Sequence, residues 1–281
     1  MTGAKLLSGL EERFADVRSV RVRYYVGGDG PPLVLVHGLG GAAANWALLA
    51  PALAARRRLL VPDLPGHGGS SPLAAAPTLN PFADVVAALA QREGLGPAPV
   101  VGHSMGGVVA LRLAIRHPGA VRAVVLAAPA GISSTARRAQ YGFAVVSALK
   151  PARLVAPFRS AIARSRLLRA VAFGYWEASD TAALSPLAVE AFLSGPAIHS
   201  DVETAGWALL RDDPRTDLDR IACPRFVLWG ARDHLVPVED GIEYARRLGA
   251  PLRIVADCGH LLIGERPDAC ADAILAFVDG L

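Results

Sequence analysis

The stretch Val100-Val101-Gly102-His103-Ser104-Met105-Gly106-Gly107 constrains this chain more than any other. An apolar run stops at a glycine, a lone serine follows, and two glycines lead into a segment that reads as a helix. A G-x-S-x-G sequence between a predicted strand and a predicted helix implies a sharp turn that pushes the serine hydroxyl out of the sheet. Glycines flank it because a Cβ there would clash with neighbouring backbone. A glycine-rich turn carrying an incidental serine would spell the same five letters. The rest of the chain has to decide between the two.

Around that turn the chain alternates strand and helix. Residues 1–14 read as a short helix, with Leu6, Leu7, Leu10 and Phe14 at helical spacing. Val20 to Val26 alternates as a half-buried strand, and Pro32 to Val36 is an apolar strand ending at His37. These two strands are expected to pair as an antiparallel edge. Leu59–Pro62, Pro99–Gly102, Val121–Ala128, Phe226–Gly230 and Leu252–Ala256 read as further strands. The helices expected between and after them are Pro81–Glu93, Met105–His117, Val238–Leu248 and Pro267–Leu281. Such alternation predicts an α/β fold with a mostly parallel, doubly wound sheet. From Gly131 to about Ala222 helical patterns follow one another without a convincing strand. That segment is too long for a simple connection. We therefore expect a core formed by residues 1–130 and 223–281, with residues 131–222 inserted as a helical cap.

Composition excludes several alternatives. With 52% hydrophobic and 19% charged residues over 281 positions, the chain can bury a large core. No run reaches the roughly 18 apolar residues that a membrane-spanning helix needs. The N-terminal residues lack the pattern of a secretory signal, so a cytoplasmic location is expected. Cys223, Cys258 and Cys270 match neither a metal spacing nor a disulfide framework, so no metal is expected. A net charge of +4 bears on solubility and does not point to nucleic acid. Within Gly131–Ala170, however, Arg137, Arg138, Lys150, Arg153, Arg159, Arg164, Arg166 and Arg169 occur with no acidic residue. A solvated basic face explains this. A basic amphipathic cap making peripheral contact with a membrane explains it too.

A serine hydroxyl becomes nucleophilic when a base takes its proton and a carboxylate orients that base. Asp233 follows the predicted strand ending at Gly230, and His260 follows the next strand. Either residue alone has an ordinary structural explanation. Their placement at strand ends, where open α/β sheets gather ligands, lets three distant side chains meet. Asp257 is a rival acid, though it is close in sequence to His260 and poorly placed to reach across a site. His103 and His234 are rival bases, read as supporting residues. The oxyanion of a tetrahedral intermediate needs preorganised N–H donors. Met105, directly after the serine, is one. Leu39, in the glycine loop His37-Gly38-Leu39-Gly40-Gly41, is the other, with Gly40 next in line.

These segments resemble the α/β-hydrolase superfamily, specifically its cap-bearing, esterase-like branch with a Ser-His-Asp triad. The resemblance rests on the glycine loop at His37 with Trp46, on Pro62-Asp63-Leu64-Pro65-Gly66-His67-Gly68-Gly69-Ser70, on the Ser104 turn, and on the Asp233 and Gly259-His260 loops. It implies an α/β-hydrolase fold in which the Asp63 loop is structural, so Asp63 and His67 are assigned no chemistry. It implies Ser104, Asp233 and His260 as catalytic residues, with no cofactor. The serine separates this chain from dehalogenase-like and epoxide-hydrolase-like relatives, which carry an aspartate there. C–C bond hydrolases of the family typically have asparagine before the serine and tryptophan after the histidine. Here those positions are His103 and Leu261.

The expected activity is carboxylic ester hydrolysis through an acyl-enzyme. A lactonase, a C–C bond (meta-cleavage product) hydrolase, a cofactor-free perhydrolase and a non-enzymatic ligand receptor on the same fold are the alternatives. The expected partner is a small ester or lactone, with Gly38, Gly40, His103 and Trp207 in contact with it. Phe143, Phe158, Phe173, Tyr175, Trp176, Phe192 and Trp207 are read mainly as cap core roofing an acyl or aryl pocket. Cys258 is read as inert packing.

Overall fold

A computed structural model of the protein describes residues 6–133, 138, 141, 142, 151–182 and 184–281. Of the basic residues singled out above, Arg137 and Lys150 fall outside the described set, as does Phe143.

The strands are β1 (Glu11–Val17), β2 (Val20–Gly27), β3 (Pro32–Val36), β4 (Arg58–Pro62), β5 (Ala98–His103), β6 (Val121–Ala127), β7 (Arg225–Gly230) and β8 (Leu252–Val255). They form one sheet in the order β1-β2-β4-β3-β5-β6-β7-β8. From β4 to β8 every pairing is parallel, whereas β1–β2 and β2–β4 are antiparallel. Hence the α/β class and mostly parallel sheet are as expected. The central strands β3, β5 and β6 read as apolar runs because both of their faces are covered.

Two local expectations were wrong. Glu11–Val17 is a strand, so the helix read over residues 1–14 does not extend through them. Arg18 and Ser19, both with positive φ, turn the chain so that Val17 pairs with Val20 and Phe14 with Arg23. The leucines at helical spacing hid the period-2 alternation that buries Ala15 and Val17. In addition, β2 and β3 are not neighbours. The antiparallel edge is β1–β2, and β2 joins the sheet through β4.

Before β6 the α-helices are α1 (Ala50–Ala54), α2 (Asn80–Arg92) and α3 (Met105–Arg116). Between β6 and β7 come α4 (Pro151–Val155), α5 (Arg159–Arg164), α6 (Arg166–Glu177), α7 (Pro186–Ser194) and α8 (Val202–Arg211). After β7 come α9 (Val238–Leu248), α10 (Leu262–Glu265) and α11 (Pro267–Asp279). Among the described residues no strand lies between β6 and β7. Local chemistry sets these helix starts: the side chains of Ser165, Ser185 and Asp201 accept from the N–H groups of Leu168, Ala188 and Thr204. Gly174, with φ of 61°, kinks α6 near its end.

Both ends of the helical segment are tied to the sheet domain. Asp240 on α9 accepts from the backbone N–H groups of Ile132 and Ser133 at 2.7 and 3.1 Å. At the other end, buried Arg112 on α3 bonds Asp212 at 2.9 Å through Nε and Asp217 at 2.6 Å. Leaving either charge unpaired inside the protein would cost several kcal/mol. The described part of the segment is thus anchored at both of its ends.

Candidate active site

Ser104 sits where β5 gives way to α3, with φ of 53° and ψ of −122°. A non-glycine residue in that region is strained and persists when its surroundings over-determine it. Here they do. Ser104 N–H donates to the Ala127 carbonyl at the end of β6, and the Ser104 carbonyl accepts from Gly107 and Ala130. A Cβ on Gly102 would lie 2.2 Å from the Gly106 carbonyl oxygen, and one on Gly106 would lie 2.3 Å from that of Val36. The motif glycines are steric requirements of the turn.

Parallel register carries the other two residues to the same end of the sheet. His260 Nε2 lies 3.0 Å from Ser104 Oγ, and its Nδ1 lies 2.8 Å from Asp233 Oδ2. The second oxygen of Asp233 accepts from the N–H groups of Leu235 and Val236 at 3.0 and 2.7 Å. Both carboxylate oxygens are thus engaged, Oδ1 by the backbone and Oδ2 by the imidazole. Burial pushes His260 down, but Asp233, with Glu177 and Glu265 behind it, outweighs burial and holds the imidazole above its ordinary range. A hydroxyl, an imidazole and a carboxylate in line can pass a proton from oxygen to nitrogen and stabilise the charge that results.

The rivals are placed elsewhere. Asp257 forms an exposed ion pair with Arg232. His103 donates its Nε2–H to the backbone carbonyl of His260 at 2.9 Å, and burial pushes its ring down to about 3. It braces the histidine loop as a neutral ring. Cys258 is fully buried, and burial pushes its thiol far up, which leaves it un-ionised.

Two histidines hold the glycine loop after β3. His37 Nε2 accepts from Leu64 N–H, so the proton resides on Nδ1, which donates to the Gly38 carbonyl at 2.8 Å. His199, between α7 and α8, accepts at Nδ1 from Gly68 N–H and donates from Nε2 to the Gly40 carbonyl, each at 2.8 Å. Gly41 N–H also donates to the Gly38 carbonyl. A trans peptide points its N–H away from its carbonyl, so these contacts turn the Leu39 N–H away from His37. Among the described residues no backbone acceptor takes that N–H. Met105 opens α3, where the first N–H groups of a helix lack internal partners.

Ser104 opens into a cavity of about 630 Å³. Gly38, Leu39, Gly40 and His103 line it. Trp207 does not. The inward face of α8 carries Ala205, Ala208 and Leu209, and helical periodicity turns residue 207 outward, where it is 43% exposed and packs edge-on against Tyr141. Phe158, Phe173 and Phe192 line the cavity; Phe173 and Phe192 also belong to the core, whereas Phe158 is exposed.

Three residues of this site carried no signal in the sequence. Glu177 lines the cavity, and burial pushes its carboxyl up to about 7 although His260 pulls the other way. The Glu177 backbone carbonyl accepts from Leu261 N–H at 2.9 Å. Glu265 accepts from Gly259 N–H at 2.9 Å and from the N–H and hydroxyl of Ser179 at 2.9 and 2.8 Å. Together with His199, they join the helical segment to both loops beside Ser104. Among the described residues no group of His, Cys, Asp and Glu has an arrangement that could hold a metal ion.

A family model described as "Alpha/beta hydrolase family" matches residues 33–273. The dihydrolipoyllysine-residue acetyltransferase component of the acetoin cleaving system of Cupriavidus necator is 34% identical over 256 residues, covering 89% of this chain. This chain spans only 64% of that relative's length. A pimeloyl-[acyl-carrier protein] methyl ester esterase of Aromatoleum aromaticum is 34% identical over 272 residues, covering 89% of this chain and 99% of the relative. Among solved structures, a bacterial membrane phospholipase A superposes with a TM-score of 0.74 at 28% identity, covering 99% of this chain and 88% of that one.

Proposed function

The chain belongs to the α/β-hydrolase family, and within it we propose a serine hydrolase that cleaves carboxylic esters through an acyl-enzyme. One observation carries this reading: a strained serine, an imidazole and a carboxylate, from the ends of three different strands, form a continuous hydrogen-bonded line. The ester esterase among its relatives supports the bond type.

In this reading Ser104 Oγ attacks the ester carbonyl carbon while His260 Nε2 takes its proton. The N–H groups of Leu39 and Met105 receive the oxyanion. As the intermediate collapses, His260 returns the proton to the departing alcohol. Water then attacks the acyl-enzyme by the same route in reverse, releasing the acid and restoring Ser104. Asp233 keeps the Nδ1 proton in place throughout. The chemistry needs no cofactor.

The helical segment 131–222 acts as a cap on the core formed by residues 1–130 and 223–281. Its contribution is the apolar wall of Phe158, Phe173 and Phe192, which favours an acyl or aryl group. Cys223, Cys258 and Cys270, all unpaired, suit a reducing compartment such as the cytoplasm.

A fluorophosphonate probe tests the nucleophile. Ser104 Oγ should displace fluoride, and peptide mass spectrometry should place the new phosphorus–oxygen bond on the Ser104 peptide. An adduct on another residue, or none, contradicts the reading.

A further inference from the structure

Helices α4 to α6 carry an apolar surface that faces solvent. Leu154 and Val171 are each 76% exposed, Leu167 is 73% exposed and Phe158 is 65% exposed, with Leu168 exposed beside them. A monomeric soluble domain seldom leaves so many large apolar side chains together in water without a use for them. The residues between them are basic. Arg153, Arg164 and Arg166 are exposed, and no aspartate or glutamate occurs from Gly131 to Trp176. Arg169 is the exception: it turns inward, buried, and donates to the Leu184 carbonyl. The patch is also continuous with the site, because Arg153, Phe158, Leu168 and Val171 line the cavity that holds Ser104.

We propose that this face, Leu154 to Val171, docks on an anionic lipid surface and opens the Ser104 cavity directly onto the bilayer. Apolar side chains would enter the boundary between headgroups and acyl chains, with arginines reaching back to lipid phosphates. A second copy of the chain would carry the same positive charge on this face, whereas an anionic bilayer complements it. The ester-hydrolase reading enters only at the next step. With it, the substrate is an apolar ester that partitions into the membrane and reaches Ser104 without crossing water.

Co-sedimentation with vesicles tests the docking, using phosphatidylcholine alone and phosphatidylcholine mixed with phosphatidylglycerol. Wild-type protein should pellet with the mixed vesicles at low salt, pellet at least about tenfold less with neutral ones, and dissociate as salt rises. Leu154→Asp combined with Leu167→Asp, neither of which lines the cavity, should abolish pelleting. Arg164→Glu with Arg166→Glu should remove the preference for anionic lipid. Thermal melting of each variant within a few degrees of wild type confirms folding. Docking is read in Ser104→Ala protein as well, so a chain that docks but cleaves no ester contradicts the ester reading alone. No pelleting with anionic vesicles, or equal pelleting of the doubly aspartate variant, overturns the proposal. So does a dimer in gel filtration that the aspartates split, since the face would then belong to a second copy.

Discussion

The His199 imidazole donates its Nε2–H to the carbonyl of Gly40 at 2.8 Å, from a segment lying more than a hundred residues away along the chain. Its other nitrogen is occupied by Gly68 N–H, so the tautomer is determined. The contact ties the helical segment to the loop whose Leu39 N–H is proposed to receive the oxyanion. His199→Ala should therefore lower kcat by about tenfold, as expected for a misaimed oxyanion donor, and leave KM within about twofold. Steady-state kinetics on p-nitrophenyl butyrate checks this. A change confined to KM would mean that His199 only shapes the pocket.

Glu177 bears on His260. Its carboxyl is one of the groups that hold His260 above the ordinary range. Glu177→Gln removes that charge, so the His260 pKa should fall and the acid limb of the kcat/KM profile should move to lower pH. Glu177 itself titrates at about 7 in wild type. A second ionisation near neutrality should therefore vanish from the profile of the variant. An acid limb that stays put would show that Glu177 does not act on His260.

Asp233→Asn should lower kcat by a factor on the order of 10³ to 10⁴, as loss of the orienting carboxylate does in serine proteases. The amide would still accept from Leu235 and Val236, so the fold should survive. Near wild-type turnover would move the acid role to another residue.

Three buried histidines, His37, His67 and His103, and the half-buried His199 set the response to acid. Burial pushes His103 down to about 3 and His199 down to about 4, and it lowers His37 and His67 as well. In the unfolded chain each takes a proton near pH 6.5, whereas in the folded protein His103 and His199 are still neutral at pH 5. The unfolded state therefore binds more protons, and stability present above about pH 6.5 is lost as pH falls below it, by about 2 kcal/mol at pH 5 for each of these two. His260 runs the other way, its raised value adding stability at low pH that is lost as pH rises. The balance is against acid, so Tm should drop by several degrees or more between pH 8 and pH 5. A flat Tm would contradict the assignment of neutral, buried rings.

The legible part of this molecule is the part that sterics and strand polarity dictate. Gly102, Gly106 and Gly107 could be read because the Ser104 turn has no room for a Cβ at those positions. Asp233 and His260 could be read because residues following parallel strands must emerge at one end of the sheet. The placement of β2 was not legible, because hydrophobic alternation says which face of a strand is buried and nothing about its neighbour. Glu11–Val17 was misread because leucines before it carried a helical spacing that the hairpin turn at Arg18-Ser19 overrode. Glu177, Glu265 and His199 were invisible for another reason. Nothing in their local sequence announces that a helical segment will fold back onto the loops of His260 and Gly40. Trp207 failed similarly: its large ring suggested a substrate contact, and the phase of α8 turned it to solvent.

The central claim is that Ser104 is the nucleophile of an esterase, and hydrolysis of p-nitrophenyl butyrate by wild type and by Ser104→Ala tests it most directly. The account predicts Ser104-dependent turnover in wild type and a fall in kcat on the order of 10⁴ or more in the variant, with its fold intact. A Ser104→Ala protein that hydrolyses the ester at the wild-type rate would contradict it.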